Sequence, residues 1–233
     1  VDATFIVDGP VQVKTIKLPE TSTLNMTGKN IYDAIYIKHA GNSANKRQIG
    51  NEDNKTGSVS FNNLLIHAHG QEALLYNKSS YAEYLNMNDC IYNNNNLGSY
   101  SKIAVRVKNV NFTNSEINLV GSESWAGVSF LNVENLKLTG GTVVNISGGT
   151  YDGKSFLNGV GNIELNDAII TDNLRNSTSS YTYYELFDYS NSPKTVILNG
   201  NSQISSNYRY MFRDKLILND TSSINIGDDN NPG

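Results

Sequence analysis

The chain has 233 residues, 17% of them charged, and a net charge of −4, so it carries no basic excess of the kind that binds phosphate backbones or anionic membrane surfaces. Its single cysteine, Cys90, rules out an intrachain disulfide and any metal site that needs several thiolates, and in the middle of an apolar run it reads as buried packing. No run approaches the ~18 consecutive apolar residues of a membrane helix, and the N-terminal VDATFIVDGP lacks the basic, apolar and small-residue order of a signal peptide.

Asparagine is abundant and proline scarce, with serine, threonine and glycine between short runs of Val, Ile, Leu and Phe. Such a chain makes many short strands joined by turns, and no segment favours helix. In chain order, one pattern recurs eight times: apolar, any residue, apolar, a small polar pair, then a second short apolar run. It stands at IKLPETSTLNM (16 to 26), VSFNNLLIHA (59 to 68), LNMNDCIY (85 to 92), VNFTNSEINL (110 to 119), LKLTGGTVVNI (136 to 146), IELNDAII (163 to 170), ILNGNSQI (197 to 204) and LILNDTSSINI (216 to 226). The first apolar column is Ile16, Val59, Leu85, Val110, Leu136, Ile163, Val196 and Leu216. The second is Leu18, Phe61, Met87, Phe112, Leu138, Leu165, Leu198 and Leu218.

Period-2 alternation puts both columns on one face of a strand, and an inward face returning every ~25 residues is the interior of a coil. Next come Pro19, Asn62, Asn88, Thr113, Thr139, Asn166, Asn199 and Asn219, then Glu20, Asn63, Asp89, Asn114, Gly140, Asp167, Gly200 and Asp220. Asn, Asp and Gly accept left-handed backbone angles at low cost, and amides stacked at one turn can bond to the next copy as an asparagine ladder. A third strand per copy is read at DAIYIKH, EALLYNK, KIAVRVK, AGVSFLNV, GKSFLNGV, YELFDYS and YRYMFRD. The predicted fold is all-β: one right-handed, three-sided parallel β-helix, a β-solenoid of about eight coils over residues 1–233, on the order of 40 Å long. Two coils carry expanded loops, at 39–57 and 172–184. The last copy runs directly into DNNPG without a capping element, so the expectation is a fragment of a longer rod.

GGTYDGKS (148 to 155) matches the phosphate-cradling pattern G-x-x-x-x-G-K-S, but FLNGVGNIEL after it reads as strand where that motif needs a helix, so nucleotide binding is rejected. His67 and His69 share a strand face without a third ligand in view, and no metal or cofactor is expected. Carbohydrate-cleaving sites need acids gathered on one outer face. The turn-column acids Asp89, Asp167 and Asp220 are separated by coils carrying Asn114, Gly140 and Gly200. Glu185, Asp188, Arg209 and Arg213 are the first place to look for chemistry, with a surface ion pair as the plainer reading, and no catalytic residue is assigned. Tyr181, Tyr183, Tyr184, Tyr189, Tyr208 and Tyr210 cluster in and after the second expanded loop, near Arg175, and Trp125 stands apart in GSESWAG. Stacking along the rod would occupy some of these rings. Those left exposed would offer flat apolar area with one polar end to sugar rings or to a protein.

Through its degenerate coils, cysteine poverty, acidic balance and Asn-Ser-Thr turns, nearly the whole chain resembles passenger domains of bacterial type V secretion autotransporters. The resemblance implies an extracellular location at the surface of a Gram-negative cell, anchored through another part of the gene. It implies an adhesin whose loops and exposed aromatics bind host or bacterial surface glycans or proteins. The segment is expected to be monomeric, with no nucleic acid partner and no membrane insertion of its own. The rival functions are a polysaccharide lyase or glycoside hydrolase of pectate-lyase or tailspike type, and a structural spacer of a surface protein.

Overall fold

The computed structural model describes residues 2–13, 23–31, 33–37, 47–50, 57–68, 73–76, 81–97, 102–121, 130–148, 150–151, 157, 159–173, 175–176, 195–206, 215–228 and 231–232. Every regular element among them is a strand. The strands alternate between two sheets. The main path of the first runs Ala3–Val7, Thr23–Gly28, Ser58–Asn62, Ala82–Asn88, Ala104–Thr113, Phe130–Thr139, Val160–Asn166, Thr195–Asn199 and Lys215–Leu218. The second runs Val11–Val13, Ala34–Ile37, Leu65–Ala68, Ile91–Leu97, Glu116–Gly121, Val143–Gly148, Ile169–Asp172, Gln203–Ser206 and Ser223–Asp228. Neighbours on both paths are parallel, and Asn231–Pro232 folds back antiparallel on Gly227 and Asp228. Spatial order therefore follows chain order, each strand lying on the one a coil earlier.

The strand register reproduces seven of the eight predicted copies: Val59, Leu85, Val110, Leu136, Ile163, Val196 and Leu216 pair in succession, and so do Phe61, Met87, Phe112, Leu138, Leu165, Leu198 and Leu218. The first copy is corrected. Leu24 and Met26 pair with Val59 and Phe61, and Ala3 and Phe5 pair with them in turn, whereas Ile16 and Leu18 lie outside the described residues. DAIYIKH, read as a third-side strand, belongs to the second sheet, where Ile35 pairs with Ile66. Both errors have one cause: an apolar-any-apolar alternation reads the same on every side of a coil.

Val59, Phe61, Leu85, Met87, Val110 and Phe112 are all 0% exposed, each side chain contributing roughly 1.5–3 kcal/mol of burial. The second sheet's inner column continues that core with Ile35, Ile66, Tyr92, Ile117, Val144, Ile170 and Ile204. Its neighbouring inner column is mixed, with Leu119 and Ile146 beside the buried polar residues Asn94, Asp172 and Ser206. Burial pushes the Tyr92 hydroxyl up to about 12, against a hydrogen bond with Asn94 that acts the other way. At the outermost rungs the core columns open, Phe5 being 54% and Leu218 46% exposed.

The corner between the sheets is built as the turn column predicts. Asn63, Asp89, Asn114, Gly140, Asp167, Gly200 and Asp220 all have positive φ, between 46° at Asn114 and 65° at Gly200. One left-handed residue turns the strand, which is why the column holds only Asn, Asp and Gly. At Gly200 an added Cβ would lie 2.2 Å from Asp167 Oδ1, so the Asp167 carboxylate would have to move aside. Beside this column the amide ladder forms: Asn88 Nδ2 donates to Asn62 Oδ1 (2.8 Å), Asn199 Nδ2 to Asn166 Oδ1 (2.6 Å) and Asn219 Nδ2 to Asn199 Oδ1 (2.7 Å). Thr139 and Thr113 replace amides midway, hydroxyl to hydroxyl at 3.2 Å.

The remaining side is less regular. Ala73–Tyr76 pairs with Arg47–Gly50 and with Ala104 and Val105. The first expanded loop, 39–57, thus contains a strand. KIAVRVK and AGVSFLNV do not form separate strands but run into the first sheet through left-handed residues Arg106 (φ 55°) and Asn132 (φ 55°). Thr150–Tyr151 pairs with Arg175–Asn176, so the second expanded loop, 172–184, also starts with strand pairing. YELFDYS and YRYMFRD lie outside the described residues.

Candidate functional site

The corners between the two sheets differ in length, and that difference shapes the surface. The corner from Lys29 to Asp33 is long and is tied by the Asp33 carboxylate, which accepts Gly9 N (2.8 Å), Asn30 N (2.8 Å) and Asn30 Nδ2 (3.2 Å). Those bonds, that from Gly9 foremost, hold the Asp33 carboxyl below its ordinary value. The next three corners have two residues each: Asn63 and Leu64, Asp89 and Cys90, Asn114 and Ser115. The following one has three, Gly140 to Thr142, closed by Thr142 N donating to Thr139 O at 3.2 Å. The tight corners lie lower than the longer ones flanking them, because extra residues at a corner must go outward.

A groove of about 610 Å³ follows this depression. Its polar lining is Asn63, Asp89, Asn114, Glu116 and Asn145, and its apolar lining includes Ile31, Ile91 and Val143. Among the described residues of the lining, Asp89 and Glu116 are the charged groups, and none of those residues is Lys, Arg or His. Asn114 Nδ2 donates to Asp89 Oδ1 (2.7 Å) and Asn118 Nδ2 to Glu116 Oε1 (2.8 Å), so neighbouring amides fix both carboxylates. Asn145 Nδ2 donates to Asn118 Oδ1 (3.0 Å) and Asn118 Nδ2 to Asn93 Oδ1 (2.9 Å), continuing a second amide ladder on the outer face.

Below this floor the buried corner residues lock coil to coil. Ser115 Oγ accepts Cys90 N (3.1 Å), and Thr142 Oγ1 accepts Ser115 N (3.3 Å). Cys90 Sγ donates to Asn88 O at 3.2 Å, and burial pushes the thiol up to about 11, which keeps it from reacting as a thiolate at neutral pH. Cys90 and Ser115, both buried, form the bottom of the groove.

In the outer column holding Asn93, Asn118 and Asn145, the two earlier rungs carry Tyr36 and His67. Their rings stack at 4.8 Å between centroids and 13° between planes, with Tyr36 42% exposed. A second depression of about 390 Å³ lies on the first sheet's outer face. It is crossed by the amide ladder Asn109, Asn135 and Asn162, with both bonds at 3.0 Å. Its charges are paired with each other, Lys137 to Glu164 at 2.9 Å. The Glu164 carboxyl is held below its ordinary value by the Asn166 amide and by Lys137.

Of the residues singled out in the sequence, Tyr181, Tyr183, Tyr184, Tyr189, Tyr208, Tyr210 and Trp125 lie outside the described residues, as do Glu185, Asp188, Arg209, Arg213 and His69. Arg175 opens the short strand paired at Thr150. His67 stacks on an aromatic ring, and among the described residues no group of three His, Cys, Asp or Glu is placed to hold a metal ion. The G-x-x-x-x-G-K-S segment begins in strand, at Gly148, and is followed by the strand Val160–Asn166. Sequence reasoning missed Tyr36, Glu116 and Asn145. Stacking the outward positions of the second apolar run, and not only its inward ones, brings out their columns. Comparison with protein-family models, with curated proteins and with solved structures returns no match.

Proposed function

We propose that the chain is a segment of a cell-surface adhesin, a right-handed, three-sided parallel β-helix from the passenger of a bacterial type V autotransporter. In this reading the nine strands on the first sheet's main path correspond to nine coils, one more than the repeat count predicts. The rod contacts glycans or proteins of host or bacterial surfaces along its outer faces. The observation that carries the reading is the outer face itself, where an open groove lined by amides and carboxylates lies beside an exposed, stacked tyrosine. Amides donate and accept at once, and apolar side chains between them suit the two faces of a sugar ring.

The rival hydrolase reading has one feature in its favour, two carboxylates in one groove. Both are exposed, outside any apolar enclosure of the kind a hydrolase acid occupies. The test is binding of the purified chain to bacterial and epithelial cells, with parallel incubation on neutral and acidic polysaccharides. Saturable cell binding without release of sugar ends is the expected result. Release of reducing or unsaturated ends would overturn the adhesin reading in favour of the enzyme, and absence of both activities would favour a spacer.

A further inference from the structure

We infer that the corner groove is a subsite for a neutral oligosaccharide lying along the rod axis, and that it discriminates against acidic glycans. This rests on the adhesin reading and adds the place and the charge class of the ligand. The first argument is spacing. Successive corners are stacked at the strand separation of ~4.8 Å, which is close to the advance of an extended β-linked pyranose chain per sugar unit. From the corner at Lys29 to that at Gly140 the groove crosses four such steps, so a chain of about four sugars spans it with one rung of lining under each ring.

The second argument is the chemistry of those groups. Carboxylates accept hydrogen bonds, and amides both donate and accept, which is what arrays of neighbouring sugar hydroxyls require. Asp89 and Glu116 each use one oxygen on an amide of this chain, at 2.7 Å and 2.8 Å, which orients the other oxygen without consuming it. Ile91 and Val143, half-buried in the same lining, offer apolar contact to the C–H faces of the rings.

The third argument is charge. Two carboxylates with no cation among the described residues of the lining repel uronate or sialate groups, whereas the groove on the first sheet has its Lys137 and Glu164 neutralised against each other. The groove at the corner is thus the one with a charge preference.

The experiment titrates the full chain with cello- and chito-hexaose, with chitosan hexamer and with hexagalacturonate, by calorimetry and by amide chemical-shift mapping. Neutral hexaose is expected to shift Asn63, Asp89, Asn114, Glu116 and Asn145 amides, while hexagalacturonate leaves them in place. Glu116→Ala and Asn145→Ala are each expected to weaken neutral binding about tenfold, the loss of about one hydrogen bond. Both positions are exposed, and a circular-dichroism melt verifies that each variant is folded. Glu116→Gln keeps an acceptor and removes the charge, so it retains neutral binding and narrows the gap to hexagalacturonate. Tighter binding of hexagalacturonate than of neutral hexaose, weaker binding of chitosan hexamer than of hexagalacturonate, or unchanged affinity in both alanine variants, would overturn the inference. If no hexaose binds while the chain still binds cells, the subsite fails and the adhesin reading stands. If cell binding fails as well, the reading beneath it fails too.

Discussion

The corner between the two sheets and the return side of the coil solve the same problem in different ways. At most corners a left-handed Asn, Asp or Gly turns the chain, an amide or hydroxyl bonds to the next coil, and a small buried residue such as Cys90, Ser115 or Thr142 fills the inside. On the return side the turns fall at unlike residues, Arg106, Asn132 and Gly159, and the segments between them vary in length. A coil needs only one side to fix its register against its neighbours, and the other sides can then vary. The groove proposed as the binding subsite follows the fixed side, along the corners from Ile31 to Gly141.

The comparison breaks first if the core column on the fixed side proves dispensable. Phe112→Ala should cost about 3–5 kcal/mol, read as a lowered midpoint in urea, because the ring is fully buried between Met87 and Leu138. On the return side the expected effect is concentrated in Gly159, with φ at +83° and the position of an added Cβ 2.2 Å from Phe130 O. Gly159→Ala should cost roughly 2–3 kcal/mol, and an unchanged melting temperature would mean that this side adapts freely. Asn88→Ala removes one rung of the ladder and should cost about 1 kcal/mol. A loss several times larger would show that the ladder is cooperative.

Acid titration sharpens the picture at the long corner. The Asp33 carboxyl sits below its ordinary value of 3.8, so its contribution is fully present above that value and is lost as the pH falls through the lower folded one. Asp33→Asn should therefore flatten the dependence of melting temperature on pH between about 5 and 2, and an unaltered slope would assign the acid sensitivity elsewhere. The smallest effect is at Cys90, which should resist iodoacetamide at neutral pH in the folded chain and react once the chain is unfolded in urea. Labelling of the native protein at the unfolded rate would contradict the burial described here.

The core columns and the left-handed column were legible in the sequence because one physical demand repeats in each. An inward residue in the core columns is apolar, and a corner residue at positive φ favours Asn, Asp or Gly. The first rungs were misplaced because Ile16 and Leu18 alternate as convincingly as Leu24 and Met26, and only pairing distinguishes them. The groove was illegible for a different reason. Asp89 and Glu116 belong to different columns in successive coils, and what brings them into one lining is the difference between two-residue and three-residue corners. Tyr36 was passed over because tyrosine density drew attention to residues 181–210, whereas its exposure comes from standing on an outer column beside His67.

The ladder bonds also say something about how such a chain comes to be folded. They join Asn88 to Asn62, 26 positions back, Asn199 to Asn166, 33 back, and Asn219 to Asn199, 20 back. The loops closed by these bonds run from 20 to 33 residues, and the entropic cost of closure changes only slowly over that range. Once two coils have nucleated, growth becomes a one-dimensional polymerisation on a finished template, each coil added at the same cost as the last however long the rod has become.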